Sequence, residues 1–225
     1  LDEDNSFKIS NKNLNADLEF ICNPNNPTGN LLTIKEYYLS RKNGILVVDE
    51  AFMDFVIDEE NHTLINLAVK NWDLIVVRTF TKIFSIPGLR LGYLIAHKDI
   101  IDKLKRKSIP WNINILAQTI AEKMIEDKTF IMDTKKYFCK ERDYLYKFLS
   151  KNKSVKAFES AANFIFLKII NVKYSSTDLK NKFLDKGLLI RDCSNFRGLD
   201  NTYFRIAIKK RNENNLFLKL LNEIL

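Results

Sequence analysis

The sequence has only two histidines, His62 and His97, in 225 residues. That scarcity argues against a histidine-rich metal site, and no metal is expected. Its three cysteines, Cys22, Cys139 and Cys193, lie far apart and form no CxxC pair. They make no even disulfide framework and read as free thiols of a reducing compartment, so a cytoplasmic protein is expected. No apolar run approaches the ~20 residues that a membrane-spanning helix needs. The opening residues, Leu1-Asp2-Glu3-Asp4, lack the basic-then-apolar order of a secretion signal. Methionine does not stand first, which suggests a start inside a longer protein.

What is present is ordinary for a soluble globular chain: 46% apolar and 28% charged residues. The net charge of +8 invites a nucleic-acid reading. Yet 27 lysines stand against 9 arginines, scattered through asparagine- and isoleucine-rich sequence. That pattern reads as a solvated surface, with no nucleic-acid or membrane partner. A few of the cations can draw anionic substrates toward a cleft.

Leu18–Cys22 reads as a short strand ending at a turn, Asn23-Pro24-Asn25-Asn26-Pro27-Thr28-Gly29. Thr33, with Glu36 three residues on, predicts a capping box and a helix over about 34–42. Gly44 ends it, and Ile45-Leu46-Val47-Val48-Asp49 is an apolar strand closing on a carboxylate. Leu74–Arg78 and Leu91–Ala96 repeat that design. Continuous apolar strands alternating with helices predict an α/β fold with a mostly parallel sheet. The short link from Lys82 to Leu91 leaves room for one antiparallel pair. Helical periodicity dominates from about 114 to 150, with Leu116, Ile120, Met124 and Ile125 on one face. Strands at about 155–159 and 163–169, a helix at about 176–186, strands at about 188–191 and 203–208, and a last helix from about 211 follow. These predict two domains, 1–112 and 113–225.

Three segments carry the chemistry. Asp49 ends its strand at the carboxyl edge, where open α/β sheets place ligands. A carboxylate there can keep a pyridine nitrogen protonated; a helix cap or loop salt bridge explains it as well. Lys82 follows a strand among Phe80, Ile83 and Phe84, where desolvation favours the neutral amine and an imine; the plain alternative is a surface lysine. Thr79, Thr81 and Arg90 offer hydroxyls and a guanidinium suited to a phosphate, though strand threonines and an exposed arginine need no ligand. Together the groups can hold pyridoxal phosphate: an amine for its aldehyde, an acid for its ring nitrogen, and donors for its phosphate.

These segments resemble the fold-type I pyridoxal-phosphate enzymes, in the histidinol-phosphate aminotransferase branch. The resemblance implies a partial large cofactor-binding domain and a smaller C-terminal α/β domain. By it, Lys82 would bind the cofactor covalently, Asp49 would pair with the pyridinium, and Asn26 would hydrogen-bond the phenolic oxygen. Thr79, Thr81 and Arg90 would hold the cofactor phosphate. One departure stands out. Where the aminotransferases carry a tyrosine three residues after the aspartate, this sequence has Phe52, which cannot donate. The threonine-phosphate decarboxylases of cobalamin biosynthesis also carry Asp-Glu-Ala-Phe. Ile86–Arg90, Pro110-Trp111-Asn112, Ile190–Asp200 and Tyr203–Ile208 are similar to that branch too.

Arg191 and Arg205 sit in or beside apolar strands, where an unpaired guanidinium is costly. An internal ion pair would satisfy them. The resemblance instead assigns both to a substrate's anionic groups, with either arginine on either anion. It implies decarboxylation of L-threonine O-3-phosphate to aminopropanol phosphate by a cytoplasmic homodimer. Two other readings stay open: an aminotransferase, and a regulatory module fused to a DNA-binding domain. No basic helix-turn-helix pattern occurs in these residues. Family members carry a long N-terminal part before the segment matching Leu1. The 225 residues alone are therefore expected to have little or no activity, and an isolated fragment with full turnover would contradict this.

Overall fold

The computed structural model describes every residue except 1–2, 4–6, 10–15 and 171–172. Its contacts form two units. The first holds Leu31–Lys135 and the described residues of 8–25; the second holds Asn26–Asn30, Lys136–Leu225 and the described residues of 1–7. The sequence predicts a boundary near residue 112. Ala117 and Met124, however, pack with Phe80 and Leu91 in one buried cluster. That packing keeps the residues up to 135 in the first unit.

In the first unit β1 (Leu18–Cys22), β2 (Ile45–Asp49), β3 (Leu74–Thr79) and β4 (Gly92–Ala96) form a sheet in that order. The β1–β2 and β2–β3 pairs are parallel, and β3–β4 is antiparallel. The link before β4 is too short for a helical crossover, which accounts for the reversal. Leu46, Val48, Leu74 and Val76 are fully buried on one face, against Ile34 and Tyr37 of α1 (Ile34–Ser40) and Ala68 of α2 (Ile65–Ala68). Each such side chain contributes roughly 1.5–3 kcal/mol. The capping box expected at Thr33 does not form: its side chain makes no cap bond, because its backbone (φ −74°, ψ 57°) is not extended. Gly44 turns the chain into β2 at φ +79°, and a Cβ there would lie 2.2 Å from the Ala16 carbonyl.

Helix α3 (Lys98–Lys107) follows β4. The long helical stretch then breaks into α4 (Ile115–Glu126) and α5 (Lys128–Leu149). Asp127 is the reason: its N–H donates to Lys123 O, and its Oδ1 accepts from Phe130 N at 2.9 Å, closing one helix and opening the next. On α4 the buried residues are Ala117 and Met124, while Leu116, Ile120 and Ile125 are exposed.

The second unit is an antiparallel sheet in the order β5 (Val155–Ala157), β6 (Phe164–Ile169), β8 (Tyr203–Ala207), β7 (Arg191–Asp192). Ile165, Leu167, Ile169, Phe204 and Ile206 bury one face against Leu145 and Leu149 of α5, Phe183 of α6 (Ser176–Leu184) and Phe217 of α7 (Arg211–Ile224). The strand predicted at 188–191 is only Arg191–Asp192. Gly29 (φ +78°) packs where a Cβ would lie 2.3 Å from Ser160 Oγ, and Gly29 O accepts from Ala161 N at 2.7 Å. Ser175 and Asp178 form a full capping box on α6. Ser175→Ala is expected to cost about 1 kcal/mol, and Thr33→Ala to leave stability unchanged. Urea titration of both variants checks this contrast.

Candidate active site

The parallel register places Cys22 opposite Asp49, and Asp49 opposite Val77. Side chains alternate along a strand, so Asp49, Val77 and Thr79 share one sheet face and Arg78 takes the other. Asp49 is exposed. Its Oδ1 accepts from Ala51 N at 2.9 Å, which orients the carboxylate and leaves Oδ2 for a ligand. Lys82 lies in the turn after β3, with Nζ 5.6 Å from the Phe52 ring centroid. That turn sends Phe80 and Ile83 into the core and leaves Lys82 exposed. Phe80 and Ile83, its neighbours in sequence, therefore do not cover the amine. Thr79 Oγ1 donates to Leu91 O at 3.1 Å and lies 2.8 Å from Thr81 Oγ1. It also accepts from Thr81 N at 3.1 Å. With Thr79's single proton on Leu91 O, Thr81 is the donor in the bond between the two hydroxyls, and a phosphate would compete with Thr79 for that proton. Arg90 caps the turn Pro87–Leu89 in a left-handed conformation (φ 52°), and its Nη1 donates to Pro87 O at 3.1 Å. Among the described residues Arg90 makes no hydrogen bond to either threonine.

In the second unit Arg205 lies directly opposite Arg191 across β8 and β7. Cross-strand partners share a face, so two guanidiniums stand side by side. Neither has a carboxylate partner among the described residues. Arg205 lies over the Phe164 ring, 4.5 Å from its centroid, and Nη1 donates to Asn26 Oδ1. Burial draws its pKa below the usual arginine value, and Arg191 adds to that effect. Arg191 is exposed, and its Nη2 donates to Asn195 Oδ1 at 3.1 Å. Burial pushes the nearby Cys193 thiol up to about 11 despite both cations. Asp192 clips β7 to α6, accepting from Ser176 and Thr177 hydroxyls at 2.8 and 2.7 Å. Burial opposes its ionisation, but these bonds and Ser194 N hold its carboxyl down at about 2.

Behind Asp49 and Thr79 the first unit holds a charged cluster that the sequence reading did not single out. Arg78 donates to Glu50 Oε2 through Nε (3.0 Å) and Nη2 (2.8 Å), to Asp54 Oδ1 at 3.2 Å, and to Thr63 Oγ1 at 3.0 Å. Glu59 lies between Arg78 (3.5 Å) and Lys135 (2.5 Å). Glu50 is fully buried and Arg78 is 4% exposed. The available signal was an arginine inside an apolar strand, with acids at 50, 54 and 59. Among the described residues no group of three His, Cys, Asp or Glu side chains could hold a metal, and no helix is long and apolar enough to cross a membrane.

The donor set fits pyridoxal phosphate on its chemistry. Within the first unit an oriented acid has a free oxygen, an accessible amine follows the neighbouring strand, and the Thr81 hydroxyl adjoins that amine in the chain. The comparisons agree. The sequence model of the "Aminotransferase class I and II" family matches residues 2–220. A protein of Caldanaerobacter subterraneus subsp. tengcongensis, provisionally named a threonine-phosphate decarboxylase, is 36% identical over 223 residues, 96% of this chain and 60% of its own. The histidinol-phosphate aminotransferase of Clostridium acetobutylicum superposes with a TM-score of 0.85 at 32% identity, over 92% of this chain and 64% of that one. The L-threonine-O-3-phosphate decarboxylase of Porphyromonas gingivalis gives 0.84 at 30%, over 93% and 65%. The chain thus spans under two thirds of the length of these relatives.

Burial raises the Asp54 carboxyl to about 6; Glu59 and Glu50 add to the rise, while Arg78 and Lys135 oppose it. A raised folded value means that folding takes up a proton between pH ~4 and ~6. The contribution of Asp54 to stability is full below its unfolded value and is lost as pH climbs through about 6. Asp54→Asn should therefore gain stability relative to the native sequence as pH rises over that window, and level off above it. Chemical denaturation at a series of pH values reads this directly.

Proposed function

This chain belongs to the aminotransferase class I and II family, and from that premise we propose that the complete protein decarboxylates L-threonine O-3-phosphate to aminopropanol phosphate. The family is pyridoxal-phosphate dependent. When bound, that cofactor supplies a covalent attachment point for the substrate amine and a sink for the electrons released at Cα. The observation carrying the substrate is the facing pair Arg191 and Arg205, without acid partners among the described residues. Threonine phosphate has two anionic groups, a carboxylate and a phosphate, and two guanidiniums suit both. Histidinol phosphate has only the phosphate.

The roles divide by position. Lys82 Nζ holds the cofactor until substrate arrives, then returns a proton to the substrate carbon. Asp49 Oδ2 keeps a proton on the ring nitrogen. Phe52 has no hydroxyl, so Asn26 Nδ2 is the donor for the phenolic oxygen. Arg205, which bonds Asn26 within the second unit, takes the substrate carboxylate. Arg191, exposed and hydrogen-bonded to Asn195, takes the distal phosphate. Thr81 and Arg90 serve the cofactor phosphate, with Thr79 fixing Thr81. By holding both ends of the substrate, the two arginines would fix which bond at Cα is presented for cleavage, as decarboxylation requires.

Transamination is the second reading, supported by the likeness to histidinol-phosphate aminotransferases. The same residues serve it when the C–H bond is presented instead. Complete protein given threonine phosphate and no 2-oxoacid should release CO2, whereas strict need for an acceptor supports transamination. Arg191→Ala should raise KM for threonine phosphate by about tenfold to a hundredfold, the worth of one or two charge-assisted bonds.

A further inference from the structure

The hydrogen-bond ladder between β2 and β3 stops at Asp49 and Val77, with one last bond from Glu50 N to Val77 O at 2.8 Å. Beyond it the two chains part. Residues 51–63 run through short 3-10 turns, and residues 80–91 form the link to β4. Phe52, Thr81 and Lys82 all lie past the end of the ladder, and Thr79 pairs only on its β4 side, with Gly92. Backbone pairing therefore fixes Asp49 against Val77 but does not carry on to fix Phe52 against Thr81 and Lys82.

Arg78 spans that gap from the opposite face. Its guanidinium meets Glu50 twice, Thr63 once and Asp54 once, all within 3.2 Å. Glu50 in turn accepts from Leu64 N at 2.9 Å and from Thr63 Oγ1 at 2.7 Å, which fastens the far end of the 50–64 loop. Lys135 closes the cluster through Glu59. Glu50 adjoins Asp49 in sequence, Arg78 adjoins Thr79, and Asp54 is two residues from Phe52. A planar fork bonded in several directions holds its partners in one geometry, which a point charge does not. We propose that Arg78 and Glu50 are positioning residues of the cofactor site, setting residues 49–52 against residues 79–82 from behind the sheet.

The inference rests on the cofactor reading above, and the experiment separates the two. The dissociation constant for pyridoxal phosphate, and the pH midpoint of the bound cofactor's visible band, are measured in complete protein. The variants are Glu50→Gln, Arg78→Lys, Arg78→Met and Lys82→Ala, with Leu46→Ala as a core variant that destabilises the same sheet. All are assayed at a temperature where circular dichroism shows them folded. Glu50→Gln and Arg78→Met should weaken cofactor binding by about tenfold or more, as outer-shell losses do, and shift the midpoint. Arg78→Lys, charged but without the fork, should fall between Arg78→Met and native. If Arg78→Met does not fold, Glu50→Gln and Arg78→Lys carry the test. Leu46→Ala should lose thermal stability and keep native cofactor affinity and midpoint. Native affinity and midpoint in folded Glu50→Gln and Arg78→Lys would overturn the positioning role, as would an equal change in Leu46→Ala. If native protein lacks a visible band that Lys82→Ala abolishes, it is the cofactor reading that fails.

Discussion

Side chains alternate along β2 and β3, and the pairing of Asp49 with Val77 decides which side each residue takes. A slip of β3 by one residue would turn its side chains over and bring Arg78 to the side of Asp49. The apolar runs Ile45–Val48 and Leu74–Val77 hold the register, because Leu46, Val48, Leu74 and Val76 are completely buried on the helix-covered face. The face taken by Asp49 and Thr79 is thus set by the apolar pattern of both strands as a whole, which truncating one of these side chains to alanine does not invert.

The two units treat charge in opposite ways. In the first, Glu50 and Arg78 are buried together and saturated with donors and acceptors. Such a pair contributes little net stability over an apolar replacement, but losing one member strands the other in a dry interior. In the second, Arg191 and Arg205 face each other beside carboxamides, aromatic rings and the Cys193 thiol, with no carboxylate partner among the described residues. The mutual repulsion there is offset when an anion binds. A saturated network keeps geometry, whereas an unsatisfied cation pair keeps affinity in reserve for a ligand.

Much of this was legible in the sequence, and for physical reasons. Strands built from Val, Ile and Leu runs announce themselves, and Asp49, Lys82 and the Asn23–Gly29 turn stand at their ends. The family resemblance followed from the order of those segments. What escaped depends on tertiary detail. Thr33 has the right neighbours for a cap but the wrong ψ. Asp127 interrupts a helical pattern that periodicity alone continues. Lys82 stands among apolar residues in sequence, yet the turn points Phe80 and Ile83 away from it. The partners of Arg78 are spread from Glu50 to Thr63, too far apart for local reading to join them.

The second unit is not one stretch of chain. Asn26–Asn30 belongs to it, while Asn25 and Leu31 on either side belong to the first. Those five residues are seated by Gly29, which leaves no room for even a methyl group beside Ser160. Severing the backbone near Lys135 would therefore not release a self-sufficient C-terminal half. The excised piece would keep its helices and strands but lose the loop that covers Ser160 and supplies the carboxamide bonded to Arg205. Any dissection of this protein into separately expressed halves has to graft that pentapeptide back.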